Sequence, residues 1–331
     1  MAATGRGQRS LHVSLTSGLC NRLWVLVSAV RVAALTGRSL AGYWYGRTGR
    51  TGLPYVGTTD SALEDFFRPL DPAVAGVPCT VVPVVRIEFP DSLPGVNLAG
   101  SNPRNLPRDA DGRTTMAARG PAYERMRAPH AIDDRATLEA PHVLAHYLTH
   151  PLGTGADPMA AHRHYPATVG RHTKDAYLED LGALARRLLV PHPATQAAIA
   201  AQLNAILALA PSVVVGVHAR CTDMAQRSGV DRRTALSTIV GAELGADPGA
   251  VVYFASDDPA LTASLAAEFA GERFCHYNDP VAIENSVAGT SGALVDLYTL
   301  AACGRLYGTA GSSFSAFAWL LSRAPILTVH S

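Results

Sequence analysis

The chain has 331 residues, of which 48% are hydrophobic and 17% charged, and its formal net charge is +1. That hydrophobicity excludes a mainly disordered chain, and the near-neutral balance excludes a strong global field for nucleic acid or an acidic membrane. At about 150 residues per domain, the length predicts two domains.

The first pattern is a strand, Leu11 to Leu15, followed by a turn around Gly18 and a helical run from Asn21 to Thr36. Gly37 stands where a C-terminal cap is expected. A second strand, Ser39 to Tyr45, completes a strand–helix–strand unit of the parallel α/β type. Residues 46–125 are rich in Gly, Pro and Arg and predict long loops around one strand, Thr80 to Arg86. Residues 136–150, 175–190 and Ala194 to Leu209 read as helices.

After Pro211 the rhythm is regular. Strands are predicted at Val213–Ala219, Ala250–Ala255, Arg273–Tyr277, Arg305–Gly308 and Ile326–Val329. Helices are predicted at Arg232–Leu244, Pro259–Phe269, Gly292–Cys303 and Ser313–Ser322. Continuous apolar strands separated by helices mark a parallel sheet covered on both faces. The fold class is therefore α/β, with two Rossmann-like halves, 1–210 and 211–331, and a cleft between them.

Five scattered cysteines (Cys20, Cys79, Cys221, Cys275, Cys303) form no C-x-x-C pair. They fit a reducing compartment rather than a disulfide framework or a cysteine zinc cage. The apolar run Leu23 to Leu35 is interrupted by Arg31 and reads as too short to span a bilayer. No small-residue cleavage site follows it, so a cytoplasmic location is expected.

Ligands of open α/β sheets bind at the carboxyl ends of the strands, which singles out three groups. The strand ending Val217-His218-Ala219-Arg220 is followed by Cys221-Thr222-Asp223. It delivers a His and an Arg to one side, and a guanidinium fork suits phosphate oxygens. The plain alternative is an Arg–Asp pair closing the strand. Ser256-Asp257-Asp258-Pro259 forms the second group. There Asp258 reads as a helix N-cap before Pro, and Asp257 is better placed to face a ligand. The third group joins Asp296, in an otherwise apolar helix, to Gly308-Thr309-Ala310-Gly311-Ser312-Ser313-Phe314-Ser315. That stretch is a strand, turn and helix start that can hold an anion, or can simply be a serine cap. Asp296 is either exposed or specifically paired.

Taken in order, His-x-Arg-x-Thr-Asp, strand-Asp-Asp-Pro, and Val-Asp-Leu-Tyr leading to Gly-Thr-x-x-Ser-Ser-Phe-Ser resemble donor-binding motifs. They are those of the α1,6-fucosyltransferase and protein O-fucosyltransferase superfamily, which includes the bacterial nodulation fucosyltransferases. Ser17-Gly18-Leu19-Cys20-Asn21-Arg22-Leu23 is similar to that superfamily's N-terminal loop. The resemblance covers roughly 11–45 and 211–331. It implies a B-type glycosyltransferase fold, with 1–210 as the acceptor-side half and 211–331 as the nucleotide-sugar-binding half, a GDP-sugar donor, inversion without a metal, and no cofactor beyond the donor. It places Arg220 on the β-phosphate and His218 beside it, near the nucleoside. It places Asp296 on the guanine edge, and Ser312 and Ser313 on the diphosphate with Phe314 next to them. Asp257 and Asp258 would line the same pocket, and Gly18, Asn21 and Arg22 would reach the diphosphate. Asp223 is the nearest carboxylate for a base.

The chain departs from the pattern at Cys221 and Met224, where basic residues often stand, and at Ala225–Ser228, which lacks the expected acid. Another sugar, another nucleotide such as ADP or UDP, or a non-catalytic sugar-nucleotide or glycan binder remain alternatives. The expected partners are the donor and a small-molecule or glycan acceptor. His142, His146 and His150 recur every four residues, the spacing of one helical face, and are acceptor-side candidates or simply a polar face. No H-E-x-x-H motif accompanies them. Asp109-Ala110-Asp111 lies in Pro/Arg/Gly-rich sequence and reads as a turn. No nucleophile elbow and no Walker A loop occur.

Overall fold

The computed structural model describes residues 9–15, 18–45, 62–84, 142–145, 170–174, 176–221, 232–271, 273–277 and 287–329. These residues form two compact units. The first takes the chain up to 162 and returns with Leu184–Val190; the second takes Arg163–Ala183 and Pro191–Ser331.

The first unit is a four-stranded parallel sheet of order β3-β2-β1-β4. Its strands are β1 (Ser10–Leu15), β2 (Ser39–Tyr45), β3 (Cys79–Val84) and β4 (His142–Ala145). Leu11, Val13 and Leu15 alternate onto one face and are fully buried, as are Leu23, Leu26, Val27 and Val30 of helix α1 (Leu19–Thr36). Gly37 ends α1 in the left-handed conformation (φ 61°), and its N–H reaches back to the carbonyls of the last turn. By length and composition α1 could cross a membrane, being longer than the apolar run that the sequence suggests; most of its residues are buried inside the first unit.

Part of the expected loop region is packed core. Leu63, Phe66 and Phe67 are buried around a 3₁₀ turn (Leu63–Asp65), and Asp71 caps the short helix α2 (Pro72–Ala75) through the amide of Ala73. The aromatic pair outweighs the local Gly/Pro signals. Residues 136–150 do not form the expected continuous helix. The structure has a strand at His142–Ala145, in register with β1 from Ser10↔His142 to Val13↔Ala145. Pairing with the open edge of β1 overrides the i,i+4 histidine spacing, because four ladder positions satisfy backbone groups that an isolated short helix would leave unpaired. Asp109 and Asp111 lie outside the described residues.

The second unit is a six-stranded sheet of order β5-β10-β9-β6-β7-β8. Its strands are β5 (Gly170–His172), β6 (Val213–Ala219), β7 (Ala250–Ser256), β8 (Phe274–His276), β9 (Arg305–Thr309) and β10 (Ile326–Val329). All pairs are parallel except β10 with β5. Its helices are α4 (Pro193–Leu207), α5 (Arg232–Ala246), α6 (Pro259–Glu268), α7 (Val287–Ala302) and α8 (Ser313–Leu321), while α3 (Ala176–Leu188) belongs to this unit up to Ala183 and to the first from Leu184. The expected boundary at 210 places α4 in the wrong half. Its residues belong to the second unit, where α4 packs on α7. One face of the sheet builds a core from Val215, Val217, Val252 and Phe254 against Leu236, Val240, Leu261 and Leu265. On the other face Gly216 lets α7 approach closely: a Cβ there would stand 3.0 Å from both Cys303 Sγ and Leu300 Cδ2.

The chain runs from β6 outward to β7 and β8, then returns to the other side of β6 for β9 and β10. The order therefore reverses between β6 and β9. In open α/β sheets that reversal opens a crevice at the carboxyl ends of the two strands.

Candidate nucleotide site

The carboxyl end of β6 carries His218 and Arg220, and that of β9 carries Thr309. Thr309 bridges the two strands: its Oγ1 donates to the His218 carbonyl (3.1 Å) and accepts the Arg220 N–H (3.0 Å). Its own N–H donates to Ser315 Oγ at 3.0 Å, and that oxygen is 2.7 Å from His218 Nδ1. Phe314 stacks on the His218 ring, with centroids 4.7 Å apart and planes at 24°. Burial pushes the pKa of His218 down to about 4; Asp257 opposes this and Arg220 adds to it. The imidazole is thus neutral at neutral pH.

Arg220 is held at its amide, its carbonyl and its guanidinium. Thr309 accepts its N–H, Arg232 Nη1 donates to its carbonyl at 2.9 Å, and Asp257 Oδ2 lies 3.2 Å from its Nε. Asp257 Oδ1 accepts the N–H of the next residue, Cys221, at 2.6 Å. The Arg220 side chain remains 37% exposed. An ion pair through Nε leaves the charge of the group partly solvent-facing instead of sealing it in the core. The Cys221 thiol is buried, which pushes its pKa up and makes it a poor nucleophile at neutral pH.

Asp258 is a helix cap. Its Oδ1 accepts the amides of Ala260 (3.0 Å) and Leu261 (3.1 Å) at the start of α6, with Pro259 in the first helical position. Ser312 caps α8 through the Ser315 amide. Ser313 and Phe314 occupy the first helical turn, where amides have no intrahelical acceptor and the dipole favours an anion. Asp296 is specifically paired: Tyr253 Oη donates to its Oδ1 at 2.5 Å. Burial first, then the Asp296 charge, raise the tyrosine pKa and keep the phenol a donor.

In the first unit, Gly18 is the N-cap of α1 and Asn21 lies in its first turn. Arg22 is only 2% exposed, and its guanidinium carbon sits 4.4 Å from the centroid of the Trp44 ring. Burial lowers its pKa to about 10, so it stays charged. Asp223, His146 and His150 lie outside the described residues, and His142 is in β4. Among the described residues, no group of three or more His, Cys, Asp or Glu is placed to hold a metal.

Thr309, Ser315 and Arg232 build the site without having been singled out from sequence. Thr309 and Ser315 stand inside the Gly-Thr-x-x-Ser-Ser-Phe-Ser stretch, where a serine cap gives no reason to prefer them. Nothing local marked Arg232, which opens a helix twelve residues after Arg220.

Solved structures share this architecture. NodZ α-1,6-fucosyltransferase co-crystallised with GDP aligns over 95% of this chain and 93% of its own, at 21% identity and a TM-score of 0.58. NodZ from Bradyrhizobium aligns over 95% and 94%, at 22% and 0.57. The chain shares the fold of these NodZ structures. A FUT1 variant from Arabidopsis thaliana in complex with GDP covers 99% of this chain and 71% of its own, at 14% identity and a TM-score of 0.58. No protein-family model matches the chain, and no curated protein matches it in sequence. The His218–Arg220, Asp257–Asp258 and Gly308–Ser315 stretches lie at the carboxyl ends of β6, β7 and β9 or at the helix starts that follow them.

Proposed function

We propose that the chain is a metal-independent, inverting glycosyltransferase of the B type. It would transfer fucose or a related hexose from a GDP-sugar to a small-molecule or glycan acceptor in the cytoplasm. The observation that carries this reading is the placement of Arg220 at the reversal of the sheet, fixed through backbone and side chain yet partly solvent-facing. The fold likeness to NodZ, solved both with GDP and after soaking with GDP-fucose, supports the donor class.

In this reading an acceptor hydroxyl attacks the anomeric carbon from the side opposite the diphosphate. The bond from C1 to the β-phosphate oxygen breaks, and its electron pair leaves with GDP. Negative charge grows on the leaving group while the sugar becomes oxocarbenium-like. Arg220, with Arg232 close behind it and the first-turn amides of α8, supplies fixed positive charge and oriented N–H groups for that growth. We assign the acceptor proton to Asp223.

The test is a thermal-shift panel with GDP, ADP and UDP, followed by transfer or slow donor hydrolysis assayed by mass spectrometry. GDP is expected to raise the Tm more than the other two, since bound ligand stabilises by mass action. Arg220→Ala is expected to lose about a hundred-fold or more in turnover while keeping the wild-type Tm. Near-normal transfer by that variant overturns the reading.

A further inference from the structure

The donor-site reading leaves Ser315 unused, yet this wholly buried hydroxyl joins β9 to β6. It accepts the Thr309 N–H at 3.0 Å and stands 2.7 Å from His218 Nδ1. A serine hydroxyl has one proton to give, and among the described residues Nδ1 is its acceptor. If Nδ1 carried the proton instead, the hydroxyl proton would be buried without a partner, which costs the desolvation of an unmade hydrogen bond. The imidazole proton therefore sits on Nε2, which has no partner among the described residues.

We propose that Ser315 is a positioning residue: it fixes His218 as the Nε2–H tautomer, so that the ring offers an uncharged N–H donor to an oxygen of the bound nucleoside diphosphate. The identity of that ligand rests on the donor reading above; the tautomer does not. Among the described residues, the charged groups close to the ring are Arg220, at the end of β6, and Asp257, just past the end of β7, while α8 contributes Phe314 and Ser315. Arg220 disfavours a second positive charge beside it, Asp257 favours one, and burial outweighs both, so the ring stays neutral. The division of labour is then clear. Arg220 brings charge, and His218 brings direction without adding a proton-linked step to binding. Phe314 fixes the ring plane, and Ser315 fixes the ring proton.

Long-range ¹H–¹⁵N correlation spectra of the full ¹⁵N-labelled chain test this, with His218 assigned by its absence in His218→Gln. At pH 7 we expect a protonated Nε2, an unprotonated Nδ1, and no titration between about pH 5.5 and 8. A protonated Nδ1 or an imidazolium in the wild type overturns the proposal without any variant being needed. Ser315→Ala should lose the fixed tautomer and Ser315→Thr, which keeps the hydroxyl, should retain it; a wild-type pattern in the alanine variant overturns the role of Ser315. GDP should displace the Nε2 and Nε2–H resonances. GDP that raises the Tm without moving them overturns the ligand-facing role. GDP that raises no Tm overturns the donor reading and the ligand half of this inference with it, while the unliganded spectra still decide the tautomer.

Discussion

Asp257 grips the end of β6 at two points: its Oδ2 pairs with Arg220 Nε at 3.2 Å, and its Oδ1 takes the amide of Cys221 at 2.6 Å. The Arg220 side chain is 37% exposed, so solvent screens the pair and its direct contribution to stability is small. Its worth is geometric, because a carboxylate on Nε dictates how the guanidinium plane is turned. Asp257→Asn keeps an acceptor for the Cys221 amide and removes the charge. GDP affinity is expected to fall about tenfold, some 1.4 kcal/mol, with the Tm almost unchanged. Isothermal titration beside a melting curve checks both; unchanged affinity would remove Asp257 from the positioning of Arg220.

His218 links the same site to acid stability. Its folded pKa lies near 4 against an ordinary 6.5. Between those values the unfolded chain binds more protons than the folded one, so stability rises with pH from about 4 to 6.5 and is flat above. Falling through that window, the group withdraws on the order of 3 kcal/mol at about 1.4 kcal/mol per unit. Chemical denaturation at a series of pH values should show this slope in the wild type and a shallower one in His218→Gln. Equal slopes would mean that burial of the imidazole is not what makes the protein acid-sensitive.

Gly216 sits opposite α7, where a new Cβ would press on Cys303 Sγ and Leu300 Cδ2 at 3.0 Å and on Leu306 Cδ1 at 3.2 Å. Gly216→Ala should cost about 1–3 kcal/mol by overpacking. The measurement is a urea midpoint. A variant as stable as the wild type would show that α7 can retreat without loss.

Much of this architecture is legible in the residues. The strands Ser39–Tyr45, Val213–Ala219 and Ile326–Val329 coincide with their sequence patterns, because each is a short apolar or β-branched run bounded by turn residues. Asp258 before Pro259 announces its own helix cap for the same reason, since the chemistry is local. What escapes local patterns is decided by distant partners. β5 is three residues, Gly170–His172, that become a strand only by pairing with β10. His142 belongs to a strand because β1 offers it an edge. Ser315 looks like one more serine after a cap until the fold brings His218, ninety-seven positions away, to its hydroxyl. Nothing in the local pattern of Arg22 announces the indole of Trp44 against its guanidinium, which only the packed unit reveals.

Asp296 poses the sharpest choice, because Tyr253 already donates to one of its oxygens at 2.5 Å. Two roles are compatible with that bond, and they separate under substitution. If the carboxylate reads guanine, it accepts from the paired N1–H and amino group, which adenine lacks. Asp296→Asn then loses about ten- to a hundred-fold in GDP affinity and little in ADP affinity, each tenfold being about 1.4 kcal/mol. If the carboxylate serves only to anchor Tyr253, both nucleotides weaken together or neither does. Tyr253→Phe supplies the complementary arm. It deletes the tie between β7 and α7 while leaving the carboxylate in place, at a cost of about 1.5–3 kcal/mol for a lost hydrogen bond to a charged group. Under the guanine reading, this variant melts earlier but still prefers GDP to ADP. A Tyr253→Phe protein that loses the preference altogether would show that the hydroxyl, by aiming the carboxylate, is part of the base recognition itself.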